Sequence, residues 1–224
     1  MKELKSDKSN EDIDEGLYSR QLYVLGHDAM RKMQASDILI SGLGGVGVEI
    51  AKNIILGGVK SVTLHDTTNC SIRDLSSQFY LQSTDVGKNR ADGCRKQLAE
   101  LNNYVTINVY TGDLNEEFLR KFKVVVLTET KDKEQKRISE ICRSNDIAFI
   151  TSDTKGLFGQ VFCDFGESFT VYDDDGIAPK SSTIIGISKE KEGVVTCEKW
   201  HNLMDGDFVT FSGVRKRKFI QFVE

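Results

Sequence analysis

The sequence predicts a doubly wound α/β domain followed by a small, mostly β module, on three observations. Short, continuously apolar runs, DILIS at 37–41 and KVVVLT at 123–128, read as parallel strands buried on both faces. Helical patterns alternate with such runs as far as residue 151, the rhythm of an open parallel sheet with helices on both sides. A glycine-rich turn, GLGGVG at 42–47, joins the first strand to a helix.

Each element follows in order. Residues 1–14 are charged and polar and read as a disordered tail. Residues 17–33 read as helix, with Leu22, Leu25, Ala29 and Met33 at helical spacing. Strand 37–41 leads through the glycine turn into a helix over 46–56, with Ile50 and Ile54 on one face and Gly57 and Gly58 as its stop. Strand 61–66 (SVTLHD) completes a βαβ unit. A helix over 85–102 turns Ala91, Cys94, Leu98 and Leu101 inward. There follow a strand at 105–110, a short helix around Glu116 and strand 123–128. A helix over 134–144, carrying Ile138, Ile141 and Cys142, and a strand at 147–151 complete the α/β pattern.

From residue 157 onward the pattern holds only short alternating runs, at 161–165, 168–172, 183–188, 194–197 and 207–211. Turn signals such as Asp175-Gly176 and Asp205-Gly206 separate them. The first two runs read as a hairpin extending the sheet, and the rest as a β module beginning near Asp173. The predicted units are a tail (1–14), an α/β domain (15–172) and a β module (173–224).

Composition narrows the function classes. A formal charge of −4 and a pI near 5.5 argue against nucleic acid or an anionic membrane as the main partner. The one dense basic run, 215–218, reads as a solvated turn. No apolar run reaches the roughly 18 residues that a membrane helix needs. The N-terminus has no apolar segment of the kind a secretory signal carries. Five scattered cysteines without CxxC spacing fit free thiols in a reducing compartment, so cytoplasm and nucleus are expected. Three histidines far apart in sequence suggest no zinc site.

The glycine turn is the strongest chemical signal. Gly42, Gly44 and Gly47 stand in the spacing G-x-G-x-x-G, with Gly45 between them. Such glycines let the backbone turn tightly and approach a phosphate at a helix N-terminus. Asp66 closes the second strand, where a carboxylate can accept from ribose hydroxyls. Two readings stay open on the turn alone: a Rossmann-like nucleotide cradle, or a close helix–strand packing turn that binds nothing.

The segment 42–66 (GLGGVGVEIAKNIILGGVKSVTLHD) resembles the adenylating family that includes bacterial MoeB and ThiF and the activating enzymes for ubiquitin-like proteins. Within it, YSRQLYVLG at 18–26, DLSSQFY at 74–80 and KGLFGQVFCDFG at 155–166 resemble the N-terminal, inactive adenylation half of eukaryotic ubiquitin-activating enzymes. The resemblance runs from about residue 14 to 214 and implies a ThiF/MoeB-type sheet. The β module would then be the truncated start of the first catalytic-cysteine half-domain. The family's thioester-forming cysteine would lie in a half-domain beyond this chain. Active members of the family join a ubiquitin-like C-terminal carboxylate to the α-phosphate of ATP, which needs carboxylates for Mg²⁺ and cations for the polyphosphate.

Here the expected Asp-x-Asp after the second strand is Asp66, Thr67, Thr68. Ser77 stands where an arginine is expected, Arg90 where a lysine is, and Lys131 where a metal-binding aspartate is. The resemblance therefore implies a pseudo-active half that binds no cofactor or metal of its own, with MgATP held in the active half. Arg20, in YSRQ, matches an arginine that relatives reach across the interface into the partner half's ATP site, where a guanidinium stabilises developing charge. The alternative for Arg20 is a surface salt bridge or cap.

Glu49 and Asn53 lie one helical turn apart and read as packing or capping residues. Cys163 reads as a small core hydrophobe, and His65 as packed or solvated rather than catalytic. The implied partners are the active adenylation half of the same polypeptide, ubiquitin and ubiquitin-conjugating enzymes. Two rival readings remain: the inactive subunit of a SUMO- or NEDD8-activating heterodimer, and an NAD-binding oxidoreductase domain, whose fingerprint the turn and Asp66 also satisfy.

Overall fold

The computed structural model describes residues 13–171 and 181–213, which fall into two compact units within 1–172 and 173–224. The expected tail, apart from its last two residues, the Asp175-Gly176 turn and the 215–218 basic run lie outside the described residues.

The first unit contains α1 (Glu15–Gln34), β1 (Asp37–Ser41), α2 (Gly45–Gly57), β2 (Ser61–His65), α3 (Arg90–Ala99) and β3 (Thr106–Tyr110). It continues with α4 (Glu116–Leu119), β4 (Val124–Thr128), α5 (Asp132–Ser144), β5 (Ala148–Lys155) and β6 (Phe158–Asp164). The strands form one sheet in the order β3-β2-β1-β4-β5-β6, parallel except for β6. This is the Rossmann-like, doubly wound sheet that the alternation predicts.

Strand periodicity explains the two layers. Ile38 and Ile40 of β1, Val62 and Leu64 of β2 and Val126 of β4 face one side, where Val48, Ala51 and Ile55 of α2 and Ala91, Cys94 and Leu98 of α3 cover them. Leu39 of β1, Val125 and Leu127 of β4 and Phe149 of β5 face the other, against Leu119 of α4 and Ile138 and Cys142 of α5. Each fully buried aliphatic contributes about 1.5–3 kcal/mol. Exposed ion pairs such as Arg31–Asp28 contribute about 0–1 kcal/mol. The sheet core therefore sets the position of the strand ends.

In this first unit, four expectations need correction. The first helix is broken at Gly26 (φ +76, ψ 168), so the 17–33 face does not run straight: Tyr18 and Met30 are buried while Leu25 is exposed. The third helix starts at Arg90 rather than 85, because Gly87 adopts φ +89 and Asn89 caps the helix, its Oδ1 accepting from Ala91 N. The hairpin on the sheet edge pairs β5 with β6, whereas 168–171 form no strand. Cys163, on that edge strand with neither face covered, is exposed rather than a core residue.

The second unit holds β7 (Ile184–Ile187) and β8 (Val195–Cys197), an antiparallel pair with Ile187 opposite Val195. The stretch 207–211 is not a strand. The turn at Asp205-Gly206 is present, with Asp207 Oδ2 accepting from Met204 N at 2.8 Å. None of the described residues of this unit is buried. The apolar side chains of its two strands, such as Ile185 and Ile187, are left uncovered, and a lone two-stranded hairpin is marginal by itself.

Candidate functional site

The predicted cradle lies outside the carboxyl ends of β1, β2 and β4, where strand order reverses between β1 and β4. Open α/β sheets bind their ligands at that point. Gly42 turns with φ +92, and a Cβ there would meet the Thr128 carbonyl oxygen at 2.3 Å. A Cβ on Gly47 would fall 1.7 Å from the Gly42 carbonyl oxygen, so this glycine lets α2 seat directly on the turn. Gly45 faces the backbone of Ser77. Gly44, which caps α2, is approached by a side chain: an added Cβ would lie 1.8 Å from Glu129 Oε1.

Asp66 is buried with both carboxylate oxygens engaged. Its Oδ2 accepts from Leu43 N at 2.7 Å and Arg90 Nε at 2.9 Å, and its Oδ1 from Thr68 N at 2.7 Å. The Arg90 guanidinium, with only 8% of its side chain exposed, also reaches Asp74 at 3.2 Å and Glu129 at 3.0 Å. Burial opposes the Arg90 charge, but Asp66 and Glu129 outweigh it and hold its pKa above the usual value. Burial likewise works to raise the Asp74 carboxyl, and hydrogen bonds from Ser71 and Arg90 outweigh it and hold that group below the usual range. One guanidinium thus ties three carboxylates from three separate segments together. Of these, only the Arg90–Asp66 pair is buried on both sides, and breaking such a pair by removing one partner costs about 3–5 kcal/mol, because the other charge is left uncompensated.

Glu129 follows β4 in the left-handed region at φ +51. Its N–H donates to Asp153 Oδ1 at 2.8 Å, while Asp153 Oδ2 accepts from Gln135 Nε2 at 2.9 Å. The amide of Gln135 also donates to the Thr130 carbonyl at 2.7 Å, so the turn after β4 is held on both sides. On the other flank, buried Gln78 donates to the Leu43 carbonyl at 3.3 Å and accepts from Tyr80 N at 2.8 Å and Leu81 N at 3.1 Å.

His65 supports the turn from beneath. Its Nε2 faces the Gly112 carbonyl at 3.0 Å, which can only accept, so Nε2 carries the proton and Nδ1 accepts from the Ser41 hydroxyl at 2.7 Å. Burial pushes its pKa below the usual value. A ring locked between a carbonyl and a hydroxyl beneath the turn is a packing group.

A diphosphate approaches a turn of this kind at its second glycine. Here the Glu129 carboxylate already lies against Gly44, and the Asp66 carboxylate is turned to Leu43, Thr68 and Arg90. As arranged, these residues do not fit MgATP. Among the described residues, no group of three or more His, Cys, Asp or Glu side chains is placed to hold a metal ion. Ser77 and Lys131 are both exposed, Lys131 as the N-cap of α5.

Arg20 lies apart from the cradle, on the first turns of α1. Tyr18 is buried: its ring packs over Gly58, where a Cβ would sit 2.7 Å away, and its hydroxyl accepts from Asn102 Nδ2 at 2.8 Å. Gln21 donates to the Leu56 carbonyl at 3.2 Å. Between these anchors Arg20 is exposed, bordering a depression lined also by Leu17, Leu56 and Leu101, and it forms no hydrogen bond or ion pair with any described residue. The structure does not bring Arg20 and the glycine turn into one site.

Among the remaining candidates, Glu49 pairs with Lys52 on α2 and Asn53 is exposed. Cys94 and Cys142 are pushed up by burial, to about 12 and about 11, and are inert as thiols. Sequence reasoning gave no role to Glu129, Gln78 or Asn102, although Gln78 stands within the DLSSQFY segment and Glu129 directly follows the central strand, beside the point where strand order reverses.

A doubly wound sheet with this glycine turn and the YSRQ helix defines a class, and the chain belongs to the ThiF family, whose model matches residues 18–197. Over 209 residues it is 56% identical to the ubiquitin-like modifier-activating enzyme 1 of Homo sapiens and to that of Mus musculus, covering 92% of this chain and 20% of each relative. It is 51% identical over 205 residues to the ubiquitin-activating enzyme E1 1 of Schizosaccharomyces pombe, covering 91% of this chain and 20% of the relative. The similarity is to the N-terminal region of these proteins. The chain spans about a fifth of the length of the curated relatives it matches.

Proposed function

We propose that this chain is the N-terminal part of a ubiquitin-activating enzyme and serves as its inactive adenylation half. It pairs with the active half, contributes Arg20 in trans to that half's MgATP site, and so supports ubiquitin adenylation and thioester transfer in the cytoplasm and nucleus. The observation that supports this best is the division of labour within YSRQ. Tyr18 and Gln21 are fixed to the body of the domain, while Arg20 between them is exposed and unpaired among the described residues. A cation presented in this way is free to meet a charge that a partner supplies. Leu17, Tyr23, Val24 and Leu25, exposed on the same helix, supply apolar surface for a partner to cover. The name of the Schizosaccharomyces pombe relative favours ubiquitin over other modifiers, and an Asp66 already turned to Leu43 and Arg90 does not favour NAD, whose ribose it would have to receive.

The test is a chimera in which this chain replaces the matching region of the Schizosaccharomyces pombe relative. Arg20→Ala is expected to slow single-turnover ubiquitin adenylation by about ten- to a thousandfold, the loss of one charge stabiliser. An unchanged rate would remove the trans-arginine role.

A further inference from the structure

We infer that Glu129 is an intramolecular occupant of the glycine cradle, closing to phosphate a site that the rest of the fold still shapes. The inference rests on reading the glycine turn as a nucleotide cradle and concerns how this chain keeps it shut.

Three observations converge on Glu129. Its carboxylate lies against Gly44, with Oε1 1.8 Å and Oε2 2.8 Å from the place of an added Cβ, so the close approach that the second glycine permits is taken up by this side chain. The same carboxylate pairs with Arg90 Nη2 at 3.0 Å, the cation that the cradle offers to an anion. Finally, its backbone sits at φ +51, a conformation that glycine and asparagine adopt readily and glutamate rarely. That conformation is held by Asp153 and Gln135 rather than by the residue's own preference. A carboxylate is a smaller anion than a phosphate but uses the same charge-assisted hydrogen bonds from a guanidinium. With 49% of its side chain exposed, Glu129 closes the cradle from its solvent side and is not built into the core.

Removing this carboxylate takes away one of the three acids around Arg90 and frees an N–H of Nη2 toward the turn. The ligand class of the opened site is a diphosphate, the group that G-x-G-x-x-G turns accept. Glu129→Asn suits the left-handed backbone and shortens the side chain. The experiment titrates the full chain, wild type and variant, with inorganic pyrophosphate, reading heat and the amide resonances of Gly44, Gly45 and Val46.

The variant is expected to bind at least about tenfold more tightly than the wild type, with shifts confined to the turn, tenfold being about 1.4 kcal/mol. A folded variant that binds no better than a non-binding wild type would overturn the plug and leave the inactive-half reading standing. A wild type that binds as tightly as the variant, at the same amides, would overturn both. If the asparagine variant fails to fold, Glu129→Gly, for which φ +51 is unstrained, carries the same test.

Discussion

At the scale of single residues, the site is governed by whether each polar group already has a partner. Asp66, at the strand end where a ribose acceptor would stand, is turned to Leu43 N, Thr68 N and Arg90. The position was legible in the sequence; these partners were not, because they include Arg90, 24 residues away along the chain. His65 gives a pH signature. Burial lowers its folded pKa below the unfolded value near 6.5, so the unfolded chain binds more protons between the two. That contribution to stability is complete above the unfolded value and is lost as pH falls from there through the lower folded value. Carboxyl groups held low, Asp74 among them, act below their ordinary range near 4. Urea midpoints are therefore expected to fall from pH 7.5 to pH 5.5, and His65→Gln is expected to flatten that slope. An equal slope in the variant would assign the effect to another group.

At the scale of elements, the segment from β1 through α2 to β2 was the most legible part of the chain. Continuous apolar strands and a glycine-rich turn leave little choice about where the helix starts. Gly47 shows how tight that start is. Gly47→Ala would place a methyl group 1.7 Å from the Gly42 carbonyl oxygen and 2.9 Å from Thr128 Oγ1, so the helix must move off the turn. A loss of about 1–3 kcal/mol in urea unfolding is expected, typical of forcing an extra carbon into a packed site. A loss within a few tenths of a kcal/mol would mean that the turn yields freely. The less legible elements share a cause. The start of α3 depends on the φ of Gly87, and the pairing of β6 depends on its register with β5, neither of which hydrophobic periodicity encodes. Glu129 was hidden for the same reason, since nothing local announces that its carboxylate folds back across the sheet end onto Gly44.

At the scale of the whole molecule, two separate features carry the proposed role. The cradle is shaped by its glycines and filled by the chain's own charges, while Arg20 is presented from a helix that Tyr18 fixes to the domain. On the proposed reading, the domain acts through its surface rather than through a pocket of its own. The most direct measurement is ubiquitin-dependent exchange of labelled pyrophosphate into ATP by the purified chain, with Mg²⁺ and ubiquitin in excess. Exchange at the enzyme-free background is expected of an inactive half. Incorporation that rises with ubiquitin concentration would contradict it.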